Sequence, residues 1–185
     1  IAVKSSDLVS QQIMDTYRPE LYNQVVTHTT VEETAEQIAH VHAVFAGSEA
    51  GVQLADVLAA KLGLRGNDLA TSAHRREKDI MQEIVSEHGL RSIKQIKCND
   101  ARTVFDALEA GDLELPIVLK PIDSAGTEGV SLCNSIEDVN AAVSAILGVR
   151  NVMGCENKRF LAQEYIQGME YVVDAVSIDG QHKLV

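Results

Sequence analysis

Tryptophan is absent from this 185-residue chain, and Phe, Trp and Tyr together make up only 4% of it. Proteins that bind nucleic acid by stacking bases need aromatic platforms, so the composition argues against that class. Charge points the same way. Lys plus Arg is 16 against 27 for Asp plus Glu, a formal net charge of −11. An acidic surface repels phosphate backbones and anionic lipid, so neither nucleic acid nor a membrane surface is an expected partner. No run of 18 apolar residues occurs, so no transmembrane helix is expected. The three cysteines, Cys98, Cys133 and Cys155, are far apart and form no CxxC pair. They read as reduced thiols of a cytoplasmic protein, not as a disulfide framework or zinc knot. The six histidines show no HxxxH or HExxH spacing, so no metal is assigned within the chain. Ile1-Ala2-Val3 and the closing Gln181-His182-Lys183-Leu184-Val185 both read as strand interiors, which suggests a piece of a longer protein.

What is present alternates between two periodicities. Residues 24–27 form a β-type run, and Thr30-x-x-Glu33 is a capping-box signature ahead of Val31, Ala35, Ile38 and Ala39 at helical spacing. Residues 41–46 are β-rich. Val52, Ala55, Leu58, Ala59 and Leu62 then share a helical face that Gly63 would cap. This order predicts a βαβα unit with a parallel sheet. A third helix is expected over 72–88, a strand over 92–97, and a helix from Ala101 to Glu109 with Asp100 as N-cap.

Composition changes near residues 110–115, where a boundary is expected. Beyond it, residues 115–121 read as a buried strand bracketed by prolines, which suits ladder ends or an edge. A strand over 130–133, a helix capped by Ser135-x-x-Asp138, a polar loop over 151–158 and strands over 160–165 and 171–178 follow. Asp179-Gly180 is a strong hairpin-turn signal. This half is expected to be α+β with antiparallel neighbours.

The chemistry concentrates in Lys120-Pro121-Ile122-Asp123-Ser124-Ala125-Gly126-Thr127-Glu128-Gly129-Val130. Strand alternation puts Ile117 and Leu119 on one face, Val118 and Lys120 on the other. A lysine there is either a snorkelling edge residue or an anion ligand. The loop behind it is either a plain hairpin connection or a lid whose free amides cradle phosphates. It is not a Walker A loop, because no GK[ST] follows, and not a dinucleotide fingerprint, because GxGxxG is absent. That absence disfavours a Rossmann-type oxidoreductase. Gln163-Glu164-Tyr165-Ile166-Gln167-Gly168-Met169-Glu170 is a second candidate, read either as a surface hairpin or as a connector that holds a base through its backbone. Glu170 could then accept from ribose hydroxyls.

Taken together, Lys78, the V-L-K-P strand end at Lys120, the S-A-G-T-E-G-V loop and Q-E-Y-I-Q-G followed by Glu170 resemble the nucleotide site of the ATP-grasp superfamily. The stretches 44–52 and 62–67 resemble the Rossmann-like domain that precedes it. They are especially similar to the amino-acid (dipeptide-forming) ligase branch, related to the carbamoyl-phosphate synthase large chain. The resemblance implies an α/β fold in three parts: a Rossmann-like parallel-sheet domain over 1–70, first subdomain elements over 71–112, and the α+β nucleotide-binding subdomain over 113–185, incomplete at its C-terminal end. It implies that Lys78 and Lys120 contact the α- and β-phosphates of ATP, and that Ser124, Gly126, Thr127 and Gly129 form the flap. Gln163, Glu164, Tyr165 and Ile166 would hold adenine, and Glu170 the ribose. Ser48 and Glu49, at a βα turn, are the candidate substrate contacts. Partners would be a small carboxylate such as an amino acid, an amine, and a second copy in a homodimer. The family's Mg²⁺ ligands lie on later strands, so they are expected beyond residue 185, and the chain alone is expected not to turn over. The alternative is a non-catalytic nucleotide-binding or interaction module of the same fold.

Overall fold

A computed structural model describes residues 1–4, 11–124 and 126–185. The N-terminal part pairs β1 (Ala2–Lys4) with β2 (Val25–Thr27) in parallel, on either side of a helix α1 (Gln11–Thr16). Helix α2 (Val31–Gln37) starts where the Thr30 hydroxyl accepts the Glu33 amide, one half of the expected capping box, while the Glu33 carboxylate accepts from the Thr29 hydroxyl. Helix α3 (Val52–Lys61) ends at Gly63, whose φ of 64° only glycine adopts cheaply. Val26, Ala35, Ile38 and Leu58 form the core between these elements.

Residues 41–46 do not form the expected strand. Val41 and Val44 reach the core by side-chain packing, while Phe45 points outward and is 87% exposed. β-branched composition signals a side chain that fits a half-buried surface, and the ladder partner that would make it a strand is not on offer here. Among the described residues the parallel sheet is therefore the β1–β2 pair.

The helix expected over 72–88 is two helices, α4 (Ser72–Arg76) and α5 (Lys78–Glu87). Glu77 adopts an extended conformation (φ −88°, ψ 117°) between them. No glycine or proline stands there, so local propensity does not explain the break. Ion pairs do: Arg76 is drawn to Glu49 and Asp123, and Asp79 to Lys97. Gly89 ends α5 with φ 72°.

The C-terminal part is a four-stranded antiparallel sheet in the order β3 (Gln95–Cys98), β6 (Phe160–Glu164), β4 (Ile117–Pro121), β5 (Ser131–Cys133). Helices α6 (Ala101–Ala110) and α7 (Ile136–Ile146) cover one face. Both caps read in the sequence are made: Asp100 accepts the Thr103 amide, and Ser135 with Asp138 forms a reciprocal capping box. β4 is an interior strand, not an edge; its prolines stand at the ladder ends, where no amide is demanded of them. Ile117, Leu119, Phe160, Ala162 and Cys98 are sealed beneath the helices. Burial pushes the Cys98 thiol up to about 11, and all three cysteines are free. β3 and α6 share this core with the strands that follow residue 113. The connector over 165–174 is irregular, so the expected strand over 171–178 is shortened to β7 (Ala175–Ile178). β7 pairs with β8 (Gln181–Leu184) through the Asp179-Gly180 turn. Among the described residues no helix is long and apolar enough to cross a membrane.

Alternation places Gln95, Lys97, Val118, Lys120, Leu132, Leu161 and Gln163 on the sheet face away from α6 and α7. Helix α5 approaches that face: Lys97 pairs with the buried Asp79, and Gln95 Nε2 donates to the Asp79 carbonyl at 2.9 Å. On the other side of α4, buried Asp56 of α3 accepts from Asn67 Nδ2 (2.9 Å), Ser72 Oγ (2.5 Å) and Arg75 (2.8 Å). Replacing Asp56 with Ala strips three donors of their acceptor. It should lower unfolding free energy by about 2–4 kcal/mol in urea titration, with Asp56→Asn costing less.

Candidate nucleotide site

Lys120 stands on the open sheet face, half-buried, one residue before β4 ends. Lys78 opens α5, and its Nζ donates to the carbonyls of Ser124 (2.7 Å) and Ile122 (3.3 Å). Both ammonium groups are held below the ordinary lysine range. For Lys78 the first cause is burial and the second the Arg76 charge. For Lys120 it is burial and then the Lys78 charge. Lys78 and Lys120 thus sit within each other's field. Like unit charges ~4–8 Å apart at an effective dielectric of ~20 repel by about 2–4 kcal/mol. Carbonyl dipoles offset part of this for Lys78, and a bound anion would offset more.

The glycine loop begins immediately after Lys120. Gly126, Thr127 and Gly129 all have positive φ (65°, 61° and 69°), so the tip coils tightly. A Cβ on Gly129 would lie 2.9 Å from the Pro121 ring. The tip is exposed, and Thr127 Oγ1 donates to the Gly126 carbonyl at 2.6 Å. The shoulders are tied down. Ser124 is buried and donates to Glu128 Oε2 (2.7 Å), which also accepts the Val152 amide (2.7 Å). Asn151 Nδ2 donates to the Asp123 carbonyl at 2.6 Å. Glu128 therefore faces the 151–157 loop and acts as a strut. The Ser124 hydroxyl is engaged inside the loop. Ala125 lies outside the described residues.

Gln163 is buried on the same face as Lys120, and its Nε2 donates to Gln95 Oε1 at 2.7 Å. Glu164 turns the other way. Both its oxygens accept from Arg91 at 3.0 Å, and Oε1 accepts the Lys94 amide at 2.7 Å. The Lys94 amide bond and then the Arg91 charge outweigh its partial burial and hold the Glu164 carboxyl below its usual range. The Glu164 side chain thus fixes the connector to the 91–94 segment. Tyr165, Ile166 and Glu170 are exposed on that connector. A cleft of about 300 Å³ lined by Lys94, Leu113, Pro116, Glu164 and Tyr165 lies at the opposite end of β4 from Lys120. Glu164 and Tyr165 of its lining belong to the connector expected to hold adenine, whereas Lys78, Lys120 and the glycine loop do not line it.

Ser48 precedes a short 3-10 turn (Glu49–Gly51) that leads into α3, not a strand end as expected, and its hydroxyl makes no capping bond. Glu49 nonetheless reaches the site: Oε1 lies 3.3 Å from Arg76 Nη1, and Arg76 also pairs with Asp123. Arg76, Asp79 and Asp123 were not singled out from the sequence. The run Arg75-Arg76-Glu77-Lys78-Asp79 reads as a solvated face. Yet Arg76 is 7% and Asp79 2% exposed, because the turn at Glu77 re-aims the chain.

The sheet, the glycine loop and the lysine pair together make up one α+β unit. Residues 113–185 match the ATP-grasp domain family, and this stretch is part of an ATP-grasp domain. Dapdiamide A synthase of Enterobacter agglomerans is 38% identical over 143 residues, covering 77% of this chain and 34% of that protein. Alanine–anticapsin ligase of Bacillus subtilis (strain 168) is 27% identical over 169 residues, covering 80% and 35%. Among solved structures, the L-amino acid ligase of Bacillus licheniformis shares the fold with a TM-score of 0.63 at 19% identity, covering 83% of this chain and 33% of that one. The chain spans about a third of the length of these relatives.

The loop geometry separates two glycines. Gly129→Ala meets both a positive φ and the Pro121 ring and should cost about 2–3 kcal/mol of stability. Gly126→Ala meets only the φ penalty, with nothing within 4 Å of the new Cβ, and should cost about 1 kcal/mol. Urea unfolding of the two variants side by side checks the order.

Proposed function

We propose that this chain is the ATP-binding part of an ADP-forming carboxylate–amine ligase. The observation that carries the reading is the pair of half-buried ammonium groups, Lys78 and Lys120, crowded beside a glycine loop. A polyphosphate is the ligand that relieves such a cluster. In this reading Lys78 and Lys120 hold the α- and β-phosphates, and the amides around Gly126, Thr127 and Gly129 close over them, with Ser124 shaping the lid. Gln163 has its amide NH₂ committed to Gln95, which leaves Oε1 to accept from the adenine amine. Backbone groups of the 164–166 connector read the ring edge. Tyr165 and Ile166 lie along it, and Glu170 accepts the ribose hydroxyls.

The names of the relatives support ligation of amino acids. The carboxylate oxygen attacks the γ-phosphorus, the bond to the β-phosphate oxygen breaks, and ADP leaves. The amine then attacks the acyl carbon, forming C–N and releasing phosphate. Lysines and Mg²⁺ neutralise the phosphoryl charge in this chemistry. Among the described residues no three His, Cys, Asp or Glu side chains are grouped to hold a metal. Ser48 and Glu49 would face the amino acid. The complete reaction belongs to the whole protein.

Titration with a fluorescent ATP analogue tests the reading. Lys120→Ala and Lys78→Ala should each weaken binding about tenfold or more, equivalent to about 1.4 kcal/mol. No binding by the unaltered chain would contradict it. The pH dependence has a definite sign. Both lysines have lowered pKa values in the free protein, and phosphate charge raises them in the complex. Affinity should therefore be full at neutral pH and fall as pH rises through the lowered free-state values, below the usual 10.5.

A further inference from the structure

Arg76 links two places that the reading above treats separately. Its guanidinium is buried. Nη1 faces Glu49 on the 3-10 turn before α3, and Nη2 pairs with Asp123 on the glycine loop. The two residues flanking Asp123 are held from the other side of Glu77 by Lys78, through the carbonyls of Ile122 and Ser124. Two cations thus grip residues 122–124, and one of them is shared with a carboxylate that belongs to a different part of the fold. Glu49 has half its side chain in solvent, so a ligand can reach it, whereas Arg76 cannot be reached.

We infer that Arg76 is a positioning residue that transmits occupancy of Glu49 to the glycine loop. This rests on the ATP reading and adds a substrate class: a ligand carrying an ammonium or other cationic group, read by Glu49. A buried guanidinium divided between two carboxylates binds each less firmly than it binds one alone. When a cation engages Glu49, Arg76 is left to Asp123, and the base of the glycine loop tightens. The loop then orders over the nucleotide when the second substrate is in place, which is when water must be kept from the reacting phosphate.

Glu49→Gln mimics the engaged state, because it removes the carboxylate charge while keeping the shape. Amide hydrogen exchange of the unaltered chain and of this variant, followed by mass spectrometry over residues 121–131, reads the loop directly. The expected result is exchange at least threefold slower in Glu49→Gln, with no further effect of Glu49→Gln in an Arg76→Met background. Unchanged or faster exchange, or equal slowing with and without Arg76, would overturn the inference. If Arg76→Met does not fold, Arg76→Lys replaces it, since one ammonium cannot span both carboxylates with the guanidinium's fork. A parallel titration with the fluorescent ATP analogue separates the two claims. If the unaltered chain fails to bind it, the nucleotide reading fails, while the exchange result still decides the role of Arg76.

Discussion

Three cations, Lys78, Arg76 and Lys120, converge on the end of one interior strand, and the surrounding structure is arranged to tolerate them. Arg76 has carboxylates and Lys78 has carbonyls, while Lys120 lies in the repulsive field of Lys78. The break at Glu77 makes this possible. A continuous helix over 72–88 would carry Arg76 and Lys78 about 200° apart around its axis, and the two could not grip one loop. The turn at Glu77 forgoes a helical residue and gains ion pairs at both Arg76 and Asp79.

The sheet supplies the second constraint. Alternation along β4 puts Ile117 and Leu119 under α6 and α7 and leaves Val118 and Lys120 on the other face. The loop that follows is not free along its length. Asn151 and Glu128 fasten its shoulders to the 151–157 loop, and Gly126, Thr127, Gly129 and Val130 are exposed. A lid with fixed shoulders and a coiled tip can adjust over a ligand without detaching, at a small entropic cost relative to a wholly loose loop.

Much of this was legible residue by residue. The orientation of Lys120 followed from a period of two. The caps at Thr30, Asp100 and Ser135 and the turn at Asp179-Gly180 followed from side chains that satisfy their own neighbours' amides. What escaped depends on partners distant in sequence. Residues 41–46 have strand composition but no ladder neighbour. The interior place of β4 depends on β6, some forty residues later. The burial of Arg76 and Asp79 depends on Asp123 and Lys97, and a charged pentapeptide gives no hint that its members face inward. The Glu164 side chain is held by Arg91, over seventy residues earlier.

The central claim is that Lys78 and Lys120 serve one anion. A crystal structure of the chain with a non-hydrolysable ATP analogue tests it most directly. The account predicts both Nζ atoms at hydrogen-bond distance, ~2.7–3.2 Å, from phosphate oxygens of the same nucleotide. Lys78 would be drawn off at least one of its loop carbonyls. A nucleotide whose phosphates touch neither Nζ, with Lys78 still on the Ile122 and Ser124 carbonyls, would contradict it.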